Sequence, residues 1–216
     1  MIVVVDYEVG NIGSILNMLK FLGIPAKATR DRAELTSAPK LLLPGVGAFD
    51  AGMEQLRKHD LVGLLDECVN ERKIPTLGIC LGMQLLTRGS EEGTLPGLGW
   101  IDAECKRFAK DRDSTGKMKV RHMGWNVAVP TATDEGLFKD MTDETRFYFV
   151  QTYHAVCADP TDVAATTDYF GPFVSSVRRG HVVGAQFHPE KSHKFGMRLL
   201  QNFASMGEAV PSAGAT

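Results

Sequence analysis

The segment Gly78-Ile-Cys80-Leu-Gly82 constrains the fold of this chain more than any other. An apolar run at 74–79 leads into it, and a helical pattern at 83–86 follows it. This layout is typical of a nucleophile elbow, a sharp strand-to-helix turn that lifts one side chain to the carboxyl edge of a sheet. The glycines leave room where a Cβ would clash. We expect Cys80 in a strained conformation at a helix N-terminus, where free N–H groups favour a thiolate. A buried, inert cysteine is the alternative.

Strands and helices alternate in the first half of the chain, which predicts βαβ units and a parallel sheet. Apolar runs at 2–5 and 40–43 are typical of strands buried on both faces, and helical patterns follow them at 12–22 and 50–71. Between them, 25–29 is a weaker strand. A short helix at 31–36 has Asp31 as its cap and Glu34 three residues later.

The second half of the chain is richer in short strands, which predicts a mixed or antiparallel part. We expect strands at 100–108, 123–129, 146–153, 163–167, 173–178 and 181–187, with Arg179-Gly180 as the turn between the last two. A final amphipathic helix carries Phe195, Leu199 and Phe203. The sequence therefore predicts one α/β domain over 1–206, with a central, mostly parallel sheet flanked by helices. A small, polar, frayed tail follows at 207–216.

Composition limits the partners and the compartment. The 216 residues carry a net charge of −2, which gives no electrostatic basis for binding nucleic acid or an anionic membrane. No stretch approaches the ~18 apolar residues of a membrane span, and the start lacks a signal-peptide pattern. The cysteines, which contain no Cys-x-x-Cys pair, are Cys68, Cys80, Cys105 and Cys157. We expect reduced thiols and a cytoplasmic location.

The best candidate base for Cys80 is His188, in the segment Phe187-His-Pro-Glu190. It follows an apolar strand, and Pro189 restricts its backbone to extended angles. Glu190 would project to the same side in an extended segment and could orient the imidazole, as the third member of a triad does. A capped turn with a solvated glutamate is the alternative. A metal site of His188, Glu190 and His193 is disfavoured, because Pro189 interrupts the spacing that helps such ligands converge.

Acyl transfer also requires N–H donors for the tetrahedral intermediate. An elbow supplies one from the residue after the nucleophile, here Leu81. The loop Pro44-Gly-Val-Gly47 follows a neighbouring strand, and its glycines allow the Val46 peptide to turn its N–H inward. No phosphate-binding glycine motif occurs in the chain. The residues by themselves thus predict Cys-His-Glu acyl transfer on an α/β sheet.

Several segments resemble known blocks of one family. The segments 44–49 (Pro-Gly-Val-Gly-Ala-Phe), 78–84 (Gly-Ile-Cys-Leu-Gly-Met-Gln) and 187–190 are similar to the three blocks of the class I, triad-type glutamine amidotransferases. Within that family, 122–126 (His-Met-Gly-Trp-Asn), 148–150 with 152–153, and the extension to Lys191-Ser192 resemble the glutaminase subunits of imidazole glycerol phosphate synthases. The resemblance covers nearly the whole chain, to about residue 205.

This resemblance implies a function and roles for particular residues. Cys80 would attack the side-chain amide of glutamine, with His188 as base and then acid and Glu190 as its orienter. Ammonia would pass to a separate (β/α)8-barrel synthase, which makes imidazole glycerol phosphate and aminoimidazole carboxamide ribotide in histidine biosynthesis. No cofactor and no metal are implied. The backbone oxyanion donors would be Val46 and Leu81, the glutamine-binding positions Gly45, Gly47, Gln84, Thr152 and Tyr153, and the partner interface Asn11, Trp125, Asn126, Tyr148 and Lys191.

The chain departs from the family pattern at three positions near the expected docking surface. Gln151 stands where histidine is usual, Arg121 where proline is usual, and Glu8 where glycine is usual. These changes leave open a related amidotransferase that serves another synthase, for instance in nucleotide-sugar amidation. A stand-alone cysteine hydrolase for γ-glutamyl amides would use the same triad without a docking face. A non-catalytic structural partner would have no reason to keep the triad and both elbow glycines.

Overall fold

The computed structural model describes residues 1–108, 121–133, 136–142 and 144–207. Apart from Gly207, the predicted frayed tail lies outside these residues. The strands in chain order are β1 (Ile2–Val5), β2 (Ala26–Thr29), β3 (Leu41–Leu43), β4 (Thr76–Ile79), β5 (Gly89–Ser90), β6 (Ala103–Arg107), β7 (His122–Val127), β8 (Val129–Pro130), β9 (Arg146–Gln151), β10 (Tyr153–Cys157), β11 (Val163–Asp168), β12 (Pro172–Arg179) and β13 (Val182–Ala185).

The α-helices are α1 (Ile12–Phe21), α2 (Arg32–Thr36), α3 (Phe49–Lys58), α4 (Leu61–Asp66), α5 (Leu81–Leu85) and α6 (His193–Ser205). A π-helical turn (Glu67–Glu71) extends α4, and short 3-10 turns lie at Gly136–Phe138, Pro160–Asp162 and Pro189–Lys191. The predicted cap of α2 is confirmed, because the Asp31 side chain accepts a hydrogen bond from the Glu34 N–H at 3.0 Å. None of the described helices has the length and apolar character that crossing a membrane requires.

The central sheet has the strand order β2-β1-β3-β4-β13-β12-β10-β6-β5. All pairs from β2 to β13 are parallel, whereas β13–β12, β12–β10 and β10–β6 are antiparallel. Strand β11 pairs with β12 and with β8, and β7 and β9 form a separate antiparallel pair. The α/β class with a mostly parallel central sheet and an antiparallel C-terminal part is therefore confirmed.

Apolar runs without alternation form the parallel strands because both faces of the sheet are covered. Val3 and Val5 pack into a core with helices α3 and α4, while Ile2 and Val4 pack into a second core with α1 and α6. In the second core, the Phe187 ring stacks on Phe147 with centroids 3.8 Å apart. This stack joins the chain just beyond β13 to the small β7–β9 sheet.

Two details of the sequence prediction are wrong. The strand expected at 146–153 divides at Thr152, so that β9 lies in the small sheet and β10 in the central one. The Thr152 carbonyl accepts a hydrogen bond from the Phe108 N–H at 3.0 Å. This bond marks the point at which the chain leaves the small sheet and joins the central one. The last hairpin turns one residue later than expected: Arg179 pairs with Val182, and Gly180, with φ of +59°, occupies the turn.

Candidate functional site

Cys80 lies between the end of β4 and the start of α5, as the elbow pattern predicts. Its backbone has φ of 54° and ψ of −111°, a strained conformation for a residue with a side chain. Its N–H donates to the Ala185 carbonyl of β13 at 2.8 Å, and its own carbonyl accepts from the Gln84 N–H at 3.2 Å. Cys80 is thus fixed on both sides, at the carboxyl edge of the parallel strands.

The glycines around Cys80 are required by close backbone contacts. A Cβ on Gly82 would lie 1.9 Å from the Leu43 carbonyl oxygen, and one on Gly78 would lie 2.8 Å from the Gly82 backbone. A Cβ on Gly45 would lie 2.7 Å from the Gly82 nitrogen and 2.8 Å from the Leu81 Cβ. Strand, helix and the loop after β3 therefore meet at this turn.

His188 follows β13, the parallel neighbour of β4, and therefore reaches the same sheet edge. Its Nδ1 lies 2.8 Å from the Glu190 Oε1, and both side chains are only 2% exposed. The residues after His188 form a 3-10 turn rather than the extended segment expected, yet the carboxylate still reaches the ring. Glu190 therefore forms a buried ion pair with His188 and is not the solvated glutamate of the alternative interpretation.

The electrostatic environment of His188 favours the charged imidazole. Burial lowers its pKa, but interactions with Cys80 and with Glu190 outweigh this and raise the pKa to about 9. Its Nε2 is buried without a hydrogen-bond partner within the described residues. The sulfur of Cys80 is the other group that acts on this ring. The three side chains of the expected triad thus interact.

Ser192 anchors the His188 segment to β9. Its hydroxyl donates to the His188 carbonyl at 2.6 Å and accepts from the Tyr148 N–H at 3.0 Å. The His188 N–H in turn donates to the Tyr148 carbonyl at 2.9 Å. The position of the imidazole therefore depends on the small sheet as well as on β13.

The loop expected to supply an oxyanion donor lies against the elbow. Gly45 contacts the Leu81–Gly82 backbone, Gly47 has φ of +107°, and the Val46 side chain is 44% exposed. The two expected donor residues, Val46 and Leu81, are therefore on adjacent segments. The direction of the Val46 peptide remains a prediction.

Sequence reasoning missed Tyr7 as part of this region. The ring is fully buried, and its hydroxyl donates a short hydrogen bond to the Pro44 carbonyl. Burial raises the pKa of Tyr7, and the charge on Cys80 raises it further. The only signal in the sequence was an aromatic residue two positions after the end of β1, at the carboxyl edge.

Gln84 and Tyr153, two expected glutamine-binding positions, are in contact. The Gln84 Nε2 lies 3.4 Å from the Tyr153 carbonyl oxygen and 3.2 Å from the Gln186 Oε1. Thr152 is half-buried beside them. Gln186, fully buried and with its Nε2 4.0 Å from the Cys80 sulfur, was missed. Its signal was a polar residue inside the apolar run that leads to His188.

Three of the expected interface residues form one cluster. Trp125 is 45% exposed and meets the Tyr148 ring edge-on at 6.2 Å, and the Lys191 Nζ lies 6.0 Å from the centroid of Tyr148. The other two have local roles as well. Asn11 caps α1 through the Ser14 N–H at 3.4 Å.

Asn126 has its side-chain amide turned into the protein. Its Nδ2 donates to the Asp168 carbonyl at 2.7 Å and its Oδ1 accepts from the Val127 N–H at 2.8 Å. Its Nδ2 also lies 3.3 Å from the Nε2 of His122. The Asn126 side chain therefore connects β7 of the small sheet to the Asp168 end of β11.

Two of the departures from the family pattern have clear structural partners. Glu8 has φ of +65° and is held by Arg30, Lys58 and His59 at 2.9, 3.0 and 3.4 Å. Hydrogen bonds from Arg30, and then from Lys58 and His59, lower the Glu8 pKa to about 2. These partners keep a glutamate in a conformation that favours glycine.

The second of these departures, Gln151, is buried, with its Nε2 3.2 Å from the Nδ1 of His122. Burial lowers the pKa of His122 to about 4, so the ring is neutral at pH 7. The third, Arg121, is exposed, and its carbonyl accepts from the Tyr169 hydroxyl at 3.0 Å.

The histidine, cysteine and carboxylate side chains do not form a metal site in the described part of the chain, where no group of three such residues could hold an ion. His193 stacks on Trp125 at 5.4 Å with the rings 3° from parallel, whereas His188 pairs with Glu190. The hypothetical ligand set of His188, Glu190 and His193 is therefore divided between two environments.

An α/β sheet with a cysteine elbow, and with histidine and glutamate after the neighbouring strand, is the arrangement of class I glutamine amidotransferases. The family model "Glutamine amidotransferase class-I" matches residues 3–206. A solved structure of PurLQS from Thermotoga maritima has a TM-score of 0.68 at 17% identity and covers 94% of this chain and 96% of its own, which shows the shared fold.

Curated relatives give a narrower assignment. The chain is 50% identical over 206 residues to the imidazole glycerol phosphate synthase subunit HisH 2 of Pseudomonas aeruginosa, covering 95% of this chain and 100% of that protein. It is 46% identical over 203 residues to HisH 2 of Methanococcus maripaludis, covering 94% and 98%. The chain belongs to the HisH family of class I glutamine amidotransferases and is an enzyme subunit of that class.

The Gly82 contact generates a first prediction. Gly82→Ala should destabilise the protein by about 3 kcal/mol or more, because the new Cβ would overlap the Leu43 carbonyl, which cannot move without displacing β3. The free energy of unfolding in urea measures this. Gly63→Ala is the matched control: α4 has open space there, so the change should stabilise by up to about 1 kcal/mol. Equal effects of the two substitutions would contradict the tight elbow.

The His188–Glu190 pair generates a second prediction. Because the folded-state pKa of His188 lies above its usual 6.5, the pair's contribution to stability is complete below about pH 6.5 and is lost as the pH rises through about 9. Glu190→Gln should lower the pKa of His188 by about 1–2 units, since burial is then opposed by Cys80 alone. Histidine NMR titration measures the pKa. Glu54→Gln, at an exposed position of α3, should leave it unchanged.

Proposed function

We propose that this chain hydrolyses glutamine to glutamate and ammonia, with Cys80 as nucleophile, His188 as acid and base, and Glu190 as the group that orients the imidazole. The observation that carries the proposal is the buried ion pair of His188 and Glu190 at 2.8 Å, on an imidazole whose pKa Cys80 and Glu190 together raise to about 9. At neutral pH the imidazole is then protonated beside the sulfur. An imidazolium stabilises a neighbouring thiolate, the reactive form of cysteine.

The reaction follows from this charge distribution. The thiolate attacks the side-chain amide carbon, and the N–H groups of Leu81 and Val46 stabilise the oxyanion that forms. His188 gives its proton to the departing nitrogen, which leaves as ammonia, and a glutamyl thioester remains on Cys80. His188, now neutral, takes a proton from water as that water attacks the thioester. Glutamate leaves, and the thiolate and imidazolium are restored.

The surroundings of Cys80 supply groups suited to hold glutamine. Gln84, four residues after the nucleophile, contacts the carbonyl of Tyr153, the neighbour of Thr152, and the loop that contains Gly45 and Gly47 lies against Leu81 and Gly82 through Gly45. Polar groups that converge next to a nucleophile are what an amino-acid substrate requires for orientation. No step of this chemistry needs a cofactor.

A separate synthase is the proposed consumer of the ammonia. The relatives at 46% and 50% identity are subunits of imidazole glycerol phosphate synthase, which supports a place in histidine biosynthesis and in the cytoplasm. The proposed partner is a (β/α)8-barrel subunit. It docks on the face formed by Trp125, Tyr148 and Lys191, and Asn11 and Asn126 are the other two residues of the proposed interface. Exposed aromatic side chains near a basic residue are typical of binding surfaces.

A third prediction tests the division of labour. In the complex with its synthase, Cys80→Ala should abolish glutamine-dependent synthesis, with a loss of ~1,000-fold or more, but leave synthesis from added ammonium salts intact. The half-buried Cys157→Ser is the matched control and should retain both activities. Residual glutamine-dependent turnover would disprove the role of Cys80, and loss of ammonium-dependent turnover would disprove the separation of the two reactions.

A fourth prediction tests the docking face. Trp125→Ala should weaken binding of the barrel subunit by about 2 kcal/mol, as measured by titration calorimetry, because an exposed aromatic anchor is lost. Phe21→Ala removes a ring that is 75% exposed on α1 and should leave the affinity within a factor of about two. Equal affinities for the two variants would place the interface elsewhere.

A second candidate differs only in the partner. This chain has Glu8 and Gln151 at positions where the family usually has glycine and histidine. These departures favour a glutaminase that serves a synthase other than the histidine-pathway enzyme. Recovery of the partner from native lysate, followed by a glutaminase assay with and without it, separates the candidates. A fast glutaminase without a partner would instead support a stand-alone hydrolase.

A further inference from the structure

Gln186 is a fully buried amide for which the proposed reaction has assigned no role. It lies directly after β13, in a chain segment otherwise composed of apolar residues, two positions before His188. Its backbone N–H donates to the Ser175 carbonyl at 3.0 Å, so the backbone is already satisfied. Burying an amide side chain costs free energy unless both its oxygen and its nitrogen have hydrogen-bond partners. Both ends of the Gln186 amide have a neighbour, Gln84 at one end and Cys80 at the other.

The orientation of the Gln186 amide follows from a fixed acceptor. The Tyr153 carbonyl oxygen can only accept, so the Gln84 atom 3.4 Å away is the amide nitrogen. The same nitrogen lies 3.2 Å from Gln186, whose facing atom must then be the oxygen. The Gln186 nitrogen is left to face the Cys80 sulfur, at 4.0 Å. The hydrogen bonds thus run in one direction, and a donor faces the nucleophile.

This direction suits a thiolate. A sulfur anion accepts hydrogen bonds and cannot donate one, so the amide N–H of Gln186 adds a second stabilising group beside His188. The contact of 4.0 Å is at the long end of the range for hydrogen bonds to sulfur. The other end of this series of hydrogen bonds, formed by Gln84 and Tyr153, lies where glutamine is proposed to bind.

We propose that Gln186 is a positioning residue for the nucleophile: its amide connects the glutamine pocket at Gln84 to the sulfur of Cys80 and keeps an N–H donor on the thiolate. This inference rests on the proposed function, because it assumes that Cys80 reacts as a thiolate. It adds that substrate contacts at Gln84 and Tyr153 adjust the orientation of the sulfur through a single buried amide.

Alkylation of Cys80 by iodoacetamide tests the proposal without using glutamine. The pH midpoint of the alkylation rate is measured by peptide mass spectrometry for the wild type, Gln186→Met and Gln186→Glu. Methionine keeps the length and removes both hydrogen bonds, whereas glutamate keeps the acceptor for Gln84 and replaces the N–H with oxygen. The midpoint should rise by about half a unit in the methionine variant and by about one unit or more in the glutamate variant.

The other cysteines and a remote glutamine provide the controls. Burial raises the pKa of Cys157 to about 11 and of Cys105 to about 12, so both thiols should react slowly at neutral pH. Gln201→Met makes the same change on the exposed face of α6 and should keep the wild-type midpoint. In the complex with its synthase, kcat/KM for glutamine should fall about tenfold in both Gln186 variants, with ammonium-dependent synthesis unchanged.

The outcomes separate this inference from the proposed function. If Cys80 reacts rapidly in the wild type but both Gln186 variants have the wild-type midpoint, the role of Gln186 is disproved and that of Cys80 stands. If Cys80 of the wild type reacts no faster than Cys157, the nucleophile assignment itself fails. Circular dichroism establishes that each variant is folded, and if the methionine variant is not, the isosteric glutamate variant decides the question alone.

Discussion

The contact between the Leu43 carbonyl and Gly82 is the constraint on which the rest of the structure depends. It brings the end of β3 against the first turn of α5, so that the loop after β3 and the elbow share one space. The backbone conformation of Cys80, the position of Gly45 and the approach of Val46 all follow from it. A site assembled from backbone contacts tolerates little adjustment, because carbonyl and amide groups cannot rotate away as side chains do.

A second dependence is electrostatic. The His188 imidazole is buried, and burial alone would favour its neutral form. Cys80 and Glu190 together reverse this preference, and the turn begun by Pro189 brings the carboxylate of Glu190 to the ring. The Ser192 hydroxyl and the backbone of Tyr148 on β9 hold this segment in place. The protonation state of His188 is therefore linked to the position of the small β7–β9 sheet.

Much of this arrangement could be predicted from the sequence, because the parallel strands are continuous apolar runs and the elbow is a local pattern. The contacts of Tyr7 and Gln186 could not, since their partners, Pro44 and Cys80, follow strands that become neighbours only through the strand order. The division at Thr152 was missed for a related reason. The residues on both sides of it suit a strand, and only the hydrogen bond from Phe108 shows that the chain changes sheets.

That change of sheets at Thr152 has a mechanical consequence. Tyr148 on the exposed cluster and Tyr153 beside Gln84 are five residues apart in the chain, and Thr152, where the backbone bends, is the single residue between their two strands. β9 and β10 are thus joined directly, without an intervening loop. A displacement of β9 by a bound partner would act on β10 through the covalent backbone rather than through the packing of side chains.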